Sequence, residues 1–149
     1  MADGLLLIAL VGLPFLGSVI AGLLPTGARG AASGLAGAVT LTCLALVWLA
    51  YPVVSSGEVL RIEIPWMPGL GLNLALRLDG YAWLFAGLVS GIGALVVRYA
   101  RYYMSEEDPV PRFFSFFLAF MGAMTGVVIS GNLIQLVFFW ELTSLFSFL

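Results

Sequence analysis

Four stretches of this chain carry no charge at all: residues 4–28, 30–57, 80–97 and 113–140. Each is close to or beyond the roughly 18–20 residues that an α-helix needs to cross bilayer hydrocarbon. No water satisfies backbone N–H and C=O groups there, so such segments close their hydrogen bonds internally as helices. The fold class that follows is all-α integral membrane. Composition agrees, with 62% hydrophobic and 9% charged residues, against about 45–50% and 25% in soluble domains. All six basic residues are arginines in separate places, and there is no histidine. A nucleic-acid partner is therefore excluded. A soluble-enzyme reading fails for want of His, a Cys pair or a nucleotide-binding Gly loop. Neither a cofactor nor a metal site is expected.

The last uncharged stretch extends through Leu149 with one interruption, Glu141. As a single helix, 113–149 would reach about 55 Å at 1.5 Å per residue, against about 30 Å of hydrocarbon, so it should break once. Ser130-Gly131-Asn132 is the expected turn, with Gly and Asn tolerating left-handed backbone. Five transmembrane helices are thus expected, over about 4–24, 32–54, 80–103, 111–130 and 132–149. The fifth has no aromatic or basic anchor and no polar stop at its end, so the chain reads as truncated within it.

Residues 56–78 have a different period. Leu60, Ile62 and Ile64 alternate with Arg61 and Glu63, and Leu70, Leu72, Leu74, Leu76 and Leu78 alternate with polar or small residues. Period two around Pro65-Trp66-Met67-Pro68-Gly69 predicts a β-hairpin between the second and third helices. It would either cover helix ends or pair by its edge with a neighbouring membrane protein. Asp79 is placed to cap the third helix. Arg29, Arg98, Arg101 and Arg112 in the first and third connections outnumber Arg61 and Arg77 in the hairpin. The positive-inside rule then leaves the N-terminus and hairpin extracytoplasmic, with Tyr99, Tyr102 and Tyr103 forming an inner interfacial belt.

Glu141 is the sharpest functional signal. On a fifth helix starting near Asn132 it lies about 13 Å deep, near the midplane. A carboxylate there costs about 2.5–3.5 kcal/mol on insertion scales, so it needs a partner, a water cavity or a proton. Ser144 is its i+3 neighbour, and Val137, Phe138 and Leu145 form an apolar wall. No arginine lies within an apolar run to pair with it. A proton-relay or ion-coupling residue is the reading, with a neutral structural Glu as the alternative. Other features are weaker. Gly87/Gly91 and Gly122/Gly126 stand at the small-xxx-small spacing of close helix packing. Pro14 interrupts the first helix without a polar cluster beside it, and the lone Cys43 reads as packing.

From about residue 56 onward the chain resembles a known family. The resemblance lies in Leu78-Asp79-Gly80, Gly91-Ile92-Gly93-Ala94-Leu95-Val96, Phe120-Met121-Gly122-Ala123-Met124 and Gly126-Val127-Val128. Most specific are Phe139-Trp140-Glu141-Leu142-Thr143-Ser144-Leu145 and Ser147-Phe148-Leu149. These are similar to the large antiporter-like A subunits of Mrp-type monovalent cation/proton antiporters; the proton-pumping subunits of respiratory complex I carry a related Trp-Glu motif. The first 55 residues match only in character. The resemblance implies a bacterial inner-membrane subunit with fourteen or more helices, two inverted five-helix repeats and other membrane subunits as partners. It implies protons and Na+ or another monovalent cation as cargo. It also implies that Glu141 pairs with a lysine on a later helix, beyond Leu149. The alternatives are a complex I or membrane-hydrogenase subunit, and a structural docking module without ion conduction.

Overall fold

The computed structural model describes residues 2–70 and 72–149. Its elements are α1 (Ala2–Leu23), α2 (Arg29–Leu49), the short α3 (Tyr51–Ser55), β1 (Leu60–Met67), a 3-10 turn (Pro68–Leu70) and β2 (Leu72–Leu78). Then come α4 (Gly80–Tyr103), α5 (Val110–Val128) and α6 (Leu133–Phe148). Four spans, α1, α2 with α3, α4 and α5, are long and apolar enough to cross a membrane, and α6 is a shorter apolar helix. The expected second helix at 32–54 is divided at Ala50. Pro52 has no N–H to give the carbonyl four residues back, so the helix steps there and resumes from Ala50, whose carbonyl accepts from Val54.

The bundle is built on small residues. α4 turns Ala82, Ala86, Ser90, Gly93, Val97 and Ala100 inward, and α2 meets it with Ala32, Ala36, Val39, Thr40, Cys43 and Val47. Such faces let helices approach closely where apolar burial gives no net drive, as in lipid. α1 lies most extensively against α5. There a Cβ on Gly17 would stand 3.1 Å from Leu118 Cδ1, and one on Gly122 3.1 Å from the Phe15 ring. The Ser115 hydroxyl donates to the Ser18 carbonyl at 2.8 Å across the same seam. Pro14 is fully buried within an unbroken α1, and Cys43 is buried packing.

The glycine pairs divide. Gly122 and Gly126 are both contact points, Gly126 lying so close to the Phe139 ring that any side chain would overlap it. Gly91 faces open space and Gly87 has only Val47 Cγ1 at 3.7 Å. The α4 seam uses Ala86 and Ser90, each one position before a member of that pair.

The hairpin pairs Leu60 with Leu78, Ile62 with Leu76 and Ile64 with Leu74, antiparallel. Among the described residues β1 runs through Pro65 and Trp66 to Met67, farther than expected, and Pro68–Leu70 form a 3-10 turn after it. The register shifts between Pro65 and Met67, where proline cannot donate to the ladder. Leu60, Leu76 and Leu78 are buried against the helix ends, while Trp66 and Leu70 at the tip are exposed. Ile62 reaches Gly4 at the start of α1, which puts the N-terminal end of α1 and the hairpin on one side of the bundle.

Gly126→Ala should disturb the α5–α6 seam by about 1–3 kcal/mol, as overpacking does. Gly91→Ala should be near neutral. Thermal unfolding of the two variants in the same detergent micelle measures the difference.

Candidate functional site

The break between α5 and α6 is held from outside the two helices. Segment 129–131 lies along β2 as a partial third strand: Arg77 N donates to Ile129 O at 2.8 Å and Gly131 N to Ala75 O at 2.7 Å. Leu76 and Ser130 form the bridge between them. The expected left-handed turn is not what is found. Among the described residues only Gly57 has a positive φ, at 84°. Asn132 is extended at φ −139° and ψ 158°. Gly131 is required for space instead, because a Cβ would stand 2.8 Å from that of Ala75 and 3.0 Å from its backbone carbonyl.

Side chains complete the clamp. Asn132 Oδ1 caps α6 by accepting from Gln135 N at 2.8 Å, and its Nδ2 donates to Asn73 O at 2.8 Å. Gln135, on the first turn of α6, is nearly buried, and its Oε1 accepts from Ala75 N at 2.9 Å. Ser130 Oγ donates to Gly126 O at 2.6 Å and lies 3.5 Å from Gln135 Nε2. Two backbone and two side-chain bonds thus join the turn and first turn of α6 to β2. None of Asn73, Ala75 or Gln135 stands out in the sequence, since the partners lie about sixty residues apart. The one available signal is a Gln inside an apolar run.

Glu141 lies nine positions after Asn132, so about 13 Å along the axis. It is exposed, as are Val137, Phe138, Ser144 and Leu145. α6 packs on α5 through Phe139, which covers Gly126, and on α1 through Phe146, whose ring is 6.4 Å from that of Phe15. The structure therefore brings Glu141 and Ser144 onto one outward face and turns both away from the four-helix bundle. No hydrogen bond or ion pair engages the Glu141 carboxylate among the described residues. The Ser144 carbonyl accepts from Ser147 Oγ at 3.0 Å.

Asp79 is at the other end of the hairpin. Its Oδ1 accepts from Ala82 N at 2.9 Å at the start of α4, and its Oδ2 pairs with Arg77 at 2.9 Å. Its side chain thus satisfies one of the free donors of the first turn, while its carbonyl accepts the first regular helix bond, from Trp83 N at 2.8 Å. Among the described residues no group of three His, Cys, Asp or Glu forms a metal cluster.

Similarity to known proteins runs along the whole chain. Residues 66–114 match the family described as NADH-Ubiquinone oxidoreductase (complex I), chain 5 N-terminus. A Rhizobium meliloti protein, named as the probable A/B subunit of a K(+)/H(+) antiporter, is 61% identical over 136 residues, which are 91% of this chain and 14% of that protein. The Na(+)/H(+) antiporter A subunit of Alkalihalophilus pseudofirmus is 49% identical over 96 residues, 64% of this chain and 12% of that one. The chain thus spans about one seventh of the length of the curated relatives it matches. Among solved structures, the Mrp complex from Dietzia sp. DQ12-45-1b contains a chain that matches 99% of this one with a TM-score of 0.74 at 28% identity, over 15% of its own length. A chain of an archaeal membrane-bound sulfane sulfur reductase matches 96% with a TM-score of 0.82 at 21% identity, over 22% of its length, and so shares the fold.

Replacing Gln135 by Ala leaves the Ala75 N–H without its acceptor, at a cost of about 1–3 kcal/mol. Faster amide exchange at 73–77 and 129–136, with α1 and α2 unchanged, is the expected outcome in the detergent-solubilised protein.

Proposed function

We propose that this chain is part of a multisubunit monovalent cation/proton antiporter of the Mrp type and that Glu141 is a proton-translocating residue in it. Similarity to the A subunits of K(+)/H(+) and Na(+)/H(+) antiporters and to a chain of an Mrp complex supports the first part. One observation carries the residue assignment. Glu141 is the only ionisable group in 113–149, and α6 presents it outward, near mid-depth of a membrane, on a face not used to pack the bundle. A carboxylate facing hydrocarbon is expensive, so that face meets water or another polar element of the assembly. The chemistry is a proton exchange. The carboxyl group takes a proton from a hydrated access route and releases it when a cationic neighbour favours the carboxylate. Ser144 shares the face and can donate a hydrogen bond to the charged form.

The cargo cation is K+ or Na+, the ions in the names of the two relatives. The partners are the other membrane proteins of the complex and the bilayer. The match over 66–114 supports a second reading, a proton-pumping component of a complex I-like enzyme. The 61% identity to an antiporter protein favours the first. In a bacterial inner membrane the N-terminus and hairpin would be outside, with Arg29, Arg98, Arg101 and Arg112 at the cytoplasmic face. A docking role for the hairpin without ion conduction has less support, since one hairpin edge is already engaged by the chain's own 129–131 segment.

Glu141→Gln in the complete assembly should reduce cation-driven proton flux in inverted vesicles by ten-fold or more, the usual order for a proton-transfer group. Abundance of the complex should stay unchanged. Wild-type flux in that variant, with either K+ or Na+, would overturn the relay role. A topology reporter fused at the hairpin tip should be active only outside the cytoplasm; cytoplasmic activity would reverse the orientation.

A further inference from the structure

The outward face of α4 differs from that of α6. It carries large apolar residues along its whole length, through Leu84, Leu88, Ile92 and Leu95, while the small residues face inward. Tyrosines close the stripe at both ends, Tyr81 at the hairpin side and Tyr102 at the other, all exposed. The rise of 21 positions from Tyr81 to Tyr102 covers about 32 Å, close to the roughly 30 Å of hydrocarbon, with an aromatic residue at each end. Trp83 strengthens the hairpin-side belt, donating its indole N–H to Val47 O at 2.7 Å and meeting Trp48 edge-on at 6.0 Å. Nothing on the stripe is polar between Ser90, which is buried, and Arg98. This face is built for acyl chains.

At its far end the stripe passes into a shallow, open groove between side chains of α4 itself, bordered by Leu95, Arg98, Tyr99, Tyr102 and Tyr103. Tyr99 and Tyr103 stack with centroids 5.0 Å apart and planes at 20°, forming one flat wall. Arg98 is exposed beside them, and among the described residues its guanidinium is in no ion pair or hydrogen bond. The end of the helix does not occupy it either: Ala100 O accepts from Met104 N, and Arg101 O accepts from Arg29 at 2.6 Å. The loop that follows carries Glu106, Glu107 and Asp108, all exposed; Asp108 accepts from Ser105 N at 2.7 Å, and among the described residues none of the three is ion-paired with Arg98.

The geometry points to a binding site for an anionic phospholipid at this end of α4, the phosphate on Arg98 within the tyrosine groove and the acyl chains along the stripe. A fork of guanidinium donors fits a phosphate oxygen pair, and the tyrosines that line the same groove carry hydroxyls able to donate to a lipid headgroup. An anionic lipid is favoured over a zwitterionic one because Arg98 has no carboxylate to neutralise it and Arg29 and Arg101 add positive charge close by. The site is independent of Glu141, which is on another helix and another face.

Native mass spectrometry of the complete assembly, purified from vesicles of phosphatidylglycerol and phosphatidylcholine, tests it. The wild type should retain phosphatidylglycerol preferentially, and Arg98→Gln should weaken that retention about five-fold, since one basic residue near an anionic surface is worth about 1 kcal/mol. Arg98→Lys should keep most of it. Equal retention by wild type and Arg98→Gln, or no preference over phosphatidylcholine, overturns the site. A second measurement needs no variant. A photoreactive phosphatidylglycerol should label the peptide containing 95–103 in the wild-type complex more than its phosphatidylcholine counterpart. Equal labelling, or none because another polypeptide covers Arg98, also overturns it.

Discussion

Satisfaction of backbone hydrogen bonds without water is the constraint on which the rest of this structure depends. The four spans meet it by being helices, but the chain must leave the helical pattern where α5 gives way to α6. The orphaned carbonyl of Ile129 and N–H of Gly131 find partners in β2, a strand formed some fifty residues earlier. The hairpin is therefore part of the membrane fold rather than an appendage. It seals the end of the bundle with Leu60, Leu76 and Leu78 and supplies the backbone that the α5–α6 break lacks. Because β2 ends at Leu78, the next residue, Asp79, is the cap of α4.

Much of this was legible in the sequence, for reasons that can be named. Hydropathy runs report burial in lipid directly, so all five helices lie within a few residues of their expected places. The period-two pattern of Leu60, Ile62, Ile64, Leu74, Leu76 and Leu78 pointed to the strands, and those residues are cross-strand neighbours. Pairwise geometry was not legible. Gly131 suggested a left-handed turn, whereas its value is the space it leaves for Ala75. Gly87 and Gly91 had the right spacing on the wrong face, because helix phase is fixed by the whole inward set of Ala82, Ala86, Ser90 and Gly93. Gln135 needs a partner 60 residues away to mean anything. As for Glu141, its depth followed from rise per residue, but that it points away from α5 depended on which ring, Phe139 or Phe138, enters the seam.

The clamp and the carboxylate divide α6 between them. Its first turn is tied to the hairpin by Asn132 and Gln135, and its inner face is tied to α5 by the contact of Phe139 with Gly126. What remains is a rigidly phased helix whose free face holds Glu141. On the reading proposed for that residue, this is what a relay requires: the group must have access to both a proton route and a partner, while its helix does not rotate. A structural Glu would gain from being turned inward toward donors, and α6 does the reverse.

The same reasoning separates the two outward apolar faces of the molecule. A face meant for lipid should have large apolar residues along about 30 Å, aromatic residues at both interfaces and charge only beyond them. The α4 face satisfies the first two from Tyr81 to Tyr102, and its one charge, Arg98, lies among the tyrosines of the last turns rather than in the middle. The α6 face satisfies none of them cleanly. Its one tryptophan, Trp140, sits beside Glu141 in the middle of α6 rather than at an end, and the charge lies in the middle of the stripe. On the two proposals made above, α4 and α6 meet different surroundings, α4 acyl chains and α6 protein or water. The order of residues along each face, rather than the apolar content, makes the distinction.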